Sequence, residues 1–144
     1  MNHKKNILFL CTGNSCRSQM AEAWTNYLHG DKFQAYSAGV EKTRVDSLAI
    51  KVMNEAGIDI SGNSSKLVDE LSGIDFDLVI TLCDHARESC PFFPGSTRKM
   101  HQGFDDPPSL ARNSASEEES LGHYRRVRDE IRKFVLDLPQ AVKL

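Results

Sequence analysis

One apolar run, Ile7-Leu8-Phe9-Leu10, passes directly into Cys11-Thr12-Gly13-Asn14-Ser15-Cys16-Arg17-Ser18. Met20, Ala21, Trp24 and Leu28 then recur at helical spacing until Gly30. Buried strand, short polar loop and helix are the order an anion cradle needs. The five residues between Cys11 and Arg17 are enough for a tight loop whose backbone N–H groups point inward. Gly13 and Asn14 can take the unusual backbone angles of such a nest. The helix adds the positive end of its dipole, and the Arg17 guanidinium adds a full charge, so both favour a thiolate at Cys11. In this reading Arg17 holds two oxygens of a tetrahedral anion while Cys11 attacks its central atom. Ser18 donates a hydrogen bond to the Cys11 sulfur and Asn14 braces the loop. Cys16, carried toward the start of the helix, is structural.

The rest of the chain repeats the alternation. Phe33 to Ser37 reads as a strand ending at Ala38-Gly39, and Leu48, Val52, Met53 and Ala56 mark a helix that Asp46 caps and Gly57 stops. A polar stretch, Ser61 to Ser65, precedes a short helix and the apolar strand Leu78 to Leu82, which ends at Cys83 as the first ended at Cys11. A weaker strand at Lys99 to His101 leads into the stiff loop Gly103-Phe104-Asp105-Asp106-Pro107-Pro108. Ser116 with Glu119 forms a capping box for a long final helix with Tyr124, Val127, Ile131, Phe134 and Leu138 on one face. Strands alternating with helices predict an α/β chain, one three-layer domain over residues 1–144 with a central parallel sheet of about four strands. Its ligands belong beyond the carboxyl ends of the strands, where Cys11, Cys83 and the Asp105-Asp106 loop can converge.

Composition narrows the partners. Eighteen basic against twenty acidic residues, a net charge of -2, give no excess to drive binding to nucleic acid. No stretch approaches the length of a membrane span, so a cytoplasmic protein is expected. There, four cysteines read as free thiols, metal ligands or working redox groups rather than permanent staples.

Two further clusters carry chemistry. Displacement at Cys11 needs a group that protonates the departing oxygen, and a carboxylic acid on the proline-stiffened Asp105-Asp106-Pro107 turn suits that task. The segment Cys83-Asp84-His85-Ala86-Arg87-Glu88-Ser89-Cys90 holds two thiols that simple phosphate-ester hydrolysis does not require. They allow an adduct at Cys11 to be discharged by electron transfer. Zinc held by Cys83, His85, Cys90 and His101 is the metal reading, although six residues between the cysteines is not a usual knuckle spacing. Inert buried cysteines are the bland one.

Together these residues resemble the thioredoxin-coupled arsenate reductases, which share the low-molecular-weight protein tyrosine phosphatase fold. The likeness lies in Cys-Thr-Gly-Asn-Ser-Cys-Arg-Ser-Gln-Met-Ala-Glu at 11 to 22, Tyr-Ser-Ala-Gly at 36 to 39 and Thr-Leu-Cys at 81 to 83. It continues in Cys90-Pro91, Gly-Phe-Asp-Asp-Pro at 103 to 107 and Arg-Val-Arg-Asp-Glu-Ile at 126 to 131. The resemblance implies arsenate as substrate, Cys11 as nucleophile and Asp106 as the acid. It also implies a Cys11-Cys83 and then a Cys83-Cys90 disulfide, thioredoxin as reductant, and no tightly bound cofactor. A monomer is expected. Some relatives hold potassium with residues matching Asn14, Glu22, Ser37 and Ser64 and an aspartate. Lys66 stands at the aspartate position, where its ammonium can take the cation's place, so little dependence on potassium is expected. Gln102 replaces a tryptophan of close relatives, a change expected to alter packing more than chemistry. The rival readings are a phosphatase, for which no aromatic lining is evident around the loop, and a redox sensor acting on a partner protein.

Overall fold

β1 (Lys5–Cys11) lies at the centre of a four-stranded parallel sheet of order β2-β1-β3-β4, completed by β2 (Phe33–Gly39), β3 (Leu78–Thr81) and β4 (Arg98–His101). The coordinates are a computed structural model that describes residues 4–91, 93 and 97–143. Register pairs Cys11 with Gly39 across β1 and β2, and Leu10 with Thr81 across β1 and β3, so the chain leaves the sheet beside Cys11 and Cys83 on one edge.

Strand alternation divides the core. Ile7, Phe9, Leu78 and Ile80 face one side and pack with α1 (Arg17–His29), α2 (Ser47–Glu55), α5 (Glu117–Leu136) and α6 (Leu138–Val142). Leu8, Leu10 and Val79 face the other and pack with Ala86 of α3 (Asp84–Glu88), Phe76, and Val68 and Leu71 of a single 3-10 turn (Val68–Leu71). The interior strands are apolar on both faces because both faces are covered.

The local signals act as read. Asp46 accepts from the N–H groups of Leu48 and Ala49 at 2.8 and 3.2 Å, capping α2. Gly57, at φ +88, ends it while Ile58 N–H returns to the Met53 carbonyl at 3.0 Å. Ser116 accepts from Glu119 N–H, but the Glu119 carboxylate returns to Ala115 N–H rather than to Ser116, so the capping box is displaced by one residue. Two expectations need correction. The final helix is not continuous to Leu138: it stops at Leu136, and Leu138 opens α6 with Pro139 in its first turn. Pro139 has no N–H for the carbonyl four residues back, and its ring crowds that carbonyl. The Asp-Asp-Pro-Pro loop also ends sooner than expected, in α4 (Pro107–Ala111), whose first turn accepts proline because it lacks N–H partners there anyway.

Candidate active site

The loop after β1 is held by its carbonyls. Those of Cys11 and Thr12 accept from Val40 and Glu41 N–H, and that of Ser15 accepts from Asp46 N–H. The Gly13 carbonyl accepts from the Thr43 and Ser65 hydroxyls at 2.7 and 2.8 Å, and the Asn14 carbonyl from Gln19 Nε2 at 3.2 Å. In a planar trans peptide the C=O and N–H oppose one another, so five carbonyls drawn outward turn the N–H groups of residues 12 to 16 inward. Asn14 takes the left-handed conformation at φ 51, as the nest requires. Gly39 closes the cradle from β2, where any Cβ would stand 2.7 Å from Asn14 N and 2.8 Å from the Gly13 carbonyl carbon.

Side chains complete the bracing. Asn14 Nδ2 donates to the Ser18 hydroxyl at 2.8 Å, which leaves the Ser18 O–H to donate to Cys11 Sγ at 2.9 Å. Asn14 Oδ1 accepts from Gln19 Nε2 and from Lys66 N–H. Cys11, Asn14, Ser18 and Gln19 are all buried. Cys16 occupies the N-cap position of α1, and its buried thiol is pushed well above the ordinary range, first by burial and then by the Asp46 carboxylate. It stays protonated beside its reactive neighbour.

Arg17 opens α1 and reaches across to the loop after β4, where Nη1 donates to the Phe104 carbonyl at 3.1 Å and Nη2 lies 3.5 Å from Asp106 Oδ1. Ser109 donates to the other Asp106 oxygen at 2.6 Å. Asp105 turns away to Arg126. An open cavity of about 430 Å³ is lined by Arg17, Cys83, Asp84, Gly103, Phe104, Asp105 and Asp106. Phe104 is an aromatic lining residue that the sequence around Cys11 does not reveal; its ring packs edge-on against Phe134.

Cys83 Sγ lies 3.3 Å from the Thr12 hydroxyl, joining the second thiol to the Cys11 loop. Cys83 also N-caps α3, its sulfur accepting from Ala86 N–H at 3.4 Å. Cys90 follows the far end of α3, half-buried against the second core cluster, and burial raises its thiol above the ordinary range. The helix keeps these thiols apart: the rise from Cys83 to its C-cap Ser89 is roughly 9 Å, whereas a disulfide needs Cα atoms within about 7 Å. A Cys83-Cys90 bond therefore requires α3 to unwind.

The groups weighed for zinc do not gather. His85 faces Glu41 at 4.0 Å, and His101 faces Thr81 at 2.7 Å and Asp84 at 3.5 Å. Among the described residues, no three His, Cys, Asp or Glu side chains are placed to hold an ion. Beneath the loop, the Ser37 hydroxyl donates to Glu22 at 3.2 Å and the Lys66 ammonium donates to the Ser64 carbonyl at 3.0 Å. Burial raises the Glu22 carboxyl, and Lys66 opposes that shift.

Gln19, Thr43, Ser65 and Tyr124 are the supporting residues that sequence reading missed. Tyr124 donates to Asp46 at 2.9 Å, tying α5 to the cap that holds Ser15. Gln19 lies within the quoted loop motif, but Thr43 and Ser65 sit in polar stretches with nothing to distinguish them from their neighbours.

Similarity to known proteins follows the same residues. The profile of the low molecular weight phosphotyrosine protein phosphatase family matches residues 6–144. An arsenate reductase of Halalkalibacterium halodurans is 50% identical over 141 residues, covering 98% of this chain and 99% of that protein. One of Bacillus subtilis is 49% identical over 127 residues, 88% of this chain and 89% of that protein. Among solved structures, an arsenate reductase of Archaeoglobus fulgidus superposes with a TM-score of 0.73 at 33% identity, over 92% of this chain and 97% of that one. A low molecular weight protein tyrosine phosphatase of T. tengcongensis reaches 0.73 at 26% identity, over 96% of this chain and all (100%) of that one.

Proposed function

The chain belongs to the low molecular weight phosphotyrosine protein phosphatase family, and from that premise and its arsenate reductase relatives we propose that it reduces arsenate to arsenite. The observation that carries this reading is the second thiol, Cys83, at the edge of the Cys11 loop, 3.3 Å from Thr12. Hydrolysis of a phosphate ester has no use for it.

Arsenate binds to the inward N–H groups of residues 12 to 16 and to the Arg17 guanidinium. The Cys11 thiolate, steadied by Ser18, attacks arsenic, while Asp106 protonates the oxygen that leaves as water. The Cys83 thiolate then attacks Cys11 Sγ. The sulfur–arsenic bond breaks, its electron pair passes to arsenic, and arsenite departs from a Cys11-Cys83 disulfide. Cys90 attacks Cys83 and releases the Cys11 thiolate. The two electrons lost by the protein are returned when a thioredoxin dithiol reduces the Cys83-Cys90 disulfide. The raised Cys90 thiol fits this order, since its half-burial disfavours the thiolate while α3 is wound. The protein acts as a one-domain cytoplasmic monomer that removes arsenate from the cell.

The cradle is indifferent to whether arsenic or phosphorus sits at its centre. A weak phosphatase activity from Cys11, Arg17 and Asp106 accompanies the main reaction. One relative of 33% identity has been solved as an arsenate reductase in the phosphate binding state.

The direct test supplies reduced protein with thioredoxin, thioredoxin reductase and NADPH and follows NADPH oxidation on adding arsenate. Turnover above the arsenate-free control is expected and should disappear in Cys83→Ser. Absence of turnover with all thiols reduced, together with hydrolysis of a phosphate monoester, would favour the phosphatase reading.

A further inference from the structure

Asp84, which lines the cavity, forms with Thr81 and His101 a polar cluster that the reaction above does not use. We propose that His101 is a positioning residue that clasps the first residue of α3 to the sheet and keeps that helix wound until the thiol relay begins. This rests on the reading that Cys83 and Cys90 form a disulfide.

The ring is oriented from both sides. His101 ends β4, and its Nδ1 lies 2.7 Å from the hydroxyl of Thr81, the last residue of β3. Its Nε2 lies 3.5 Å from Asp84 Oδ1. A carboxylate facing Nε2 calls for a proton on that nitrogen, and the Thr81 O–H then serves as donor to Nδ1. The histidine side chain is 24% exposed and the aspartate 76%, so the contact is anchored on the sheet and reaches out to the helix.

α3 needs such a hold. Its five residues are too few for a helix to persist on intrinsic propensity, and only Ala86 is buried. Among the described residues its other polar fastenings are the Cys83 sulfur on Ala86 N–H and beside the Thr12 hydroxyl, an Asp84–Arg87 pair within the helix, and His85 at 4.0 Å from Glu41 with both side chains more than half exposed. The first of these is spent when Cys83 enters a disulfide. The Asp84–Arg87 pair ties the helix only to itself. The His101 clasp instead ties Asp84, next to Cys83, to the strands that carry the site. Because a wound α3 holds Cys83 and Cys90 beyond disulfide range, the clasp guards the reduced protein against forming that bond without arsenate.

The test uses reduced protein, no arsenate, and glutathione disulfide as oxidant. One cysteine thiolate displaces a glutathione thiolate, the other attacks the mixed disulfide and displaces the second, and two electrons leave the protein. Cys83-Cys90 bond formation is followed by acid quench and mass spectrometry, with amide exchange of residues 84–89 read in parallel. An exposed polar contact of this kind sets the scale at roughly two- to fivefold in the opening equilibrium. His101→Leu and Asp84→Asn are each expected to accelerate Cys83-Cys90 formation and amide exchange by that factor. The double variant should be no faster than the faster single one, and Cys11 alkylation by iodoacetamide should be unchanged in His101→Leu. Thr81→Val, which keeps the ring but frees it to turn, should move the same rates in the same direction and covers the case in which His101→Leu fails to fold. Unchanged rates in the variants, or Cys11 alkylation rising in step, would overturn the clasp. Failure of wild-type protein to make the Cys83-Cys90 bond after arsenate would instead sink the functional reading, while amide exchange would still report on the clasp.

Discussion

Around Cys11, five successive carbonyls are bound from residues 40–46, from α1 and from Ser65, and Asn14 and Ser18 are buried beneath the sulfur. Around Cys83 and Cys90, one five-residue helix buries a single side chain, and its ties run through exposed charges. The two regions lie at the same edge of the sheet and do different work. In the proposed reaction the first presents fixed N–H groups to an anion whose charge is redistributed during attack, so preorganisation lowers the barrier. On the proposed thiol relay the second must change shape between one exchange and the next, so strong fastening would stop it. Rigidity is concentrated where charge develops, and weakness where sulfur atoms must travel.

Removal of the mobile side's first thiol should have the largest effect. Cys83→Ser is expected to lower arsenate turnover by about a thousandfold or more, because the arsenic adduct has no internal reductant. Coupled NADPH oxidation measures the loss, and phosphate monoester hydrolysis should survive it. If arsenate turnover also survives, the division of labour between the loops is wrong.

Loosening the rigid side comes next. Asn14→Ala removes the bonds to Ser18, Gln19 and Lys66 and places alanine in a left-handed conformation. A loss of about 2–4 kcal/mol in stability and about 100-fold in kcat/KM is expected, from unpaired buried groups and a misplaced loop. Thermal melts and steady-state kinetics check both numbers. A variant with normal kcat/KM would show that the cradle is less dependent on its bracing than the buried bonds imply.

A smaller effect separates the regions by pH. With Cys11 and Cys83 replaced by serine, Cys90 alkylation should rise with pH later than for a free cysteine, since burial raises its thiol and delays the thiolate. Adding His101→Leu should move that profile back toward lower pH. Identical profiles for Cys90 and free cysteine would mean that α3 is already open in the reduced protein.

The smallest effect concerns the floor of the cradle. Lys66 brings its ammonium to the Ser64 carbonyl and opposes the raised Glu22 carboxyl, so exchanging sodium for potassium should alter kcat/KM by less than about twofold. Lys66→Ala should increase that ratio. Strong potassium activation of the wild-type protein would contradict the role given to Lys66.

The rigid side was far more legible in the sequence than the mobile one. Cys11, Gly13, Asn14, Arg17 and Ser18 fall within eight consecutive residues between a strand and a helix, so the local pattern specifies the loop and its direction. Asp46 at α2 and Gly57 after it follow from capping chemistry, which is also local. Thr43, Ser65 and the Tyr124 hydroxyl meet the loop or its cap across 30 to 78 positions, and no short-range pattern marks such contacts. The break before α6 is hidden in the sequence because helical periodicity continues through Leu138 while Pro139 ends the hydrogen bonding. The sequence marks His101 for metal-binding chemistry, but its partner Thr81 follows from the pairing of β3 with β4 and Asp84 from the start of α3 beyond it, both tertiary facts.

The most direct test of the account is a single turnover without any reductant. Fully reduced protein is mixed with excess arsenate, quenched in acid, and analysed for arsenite and for disulfide-linked peptides. The account predicts one arsenite per protein and a Cys83-Cys90 disulfide, with Cys11 and Cys16 recovered as thiols. Four free thiols and no arsenite, or arsenite accompanied by a bond that excludes Cys90, would contradict it.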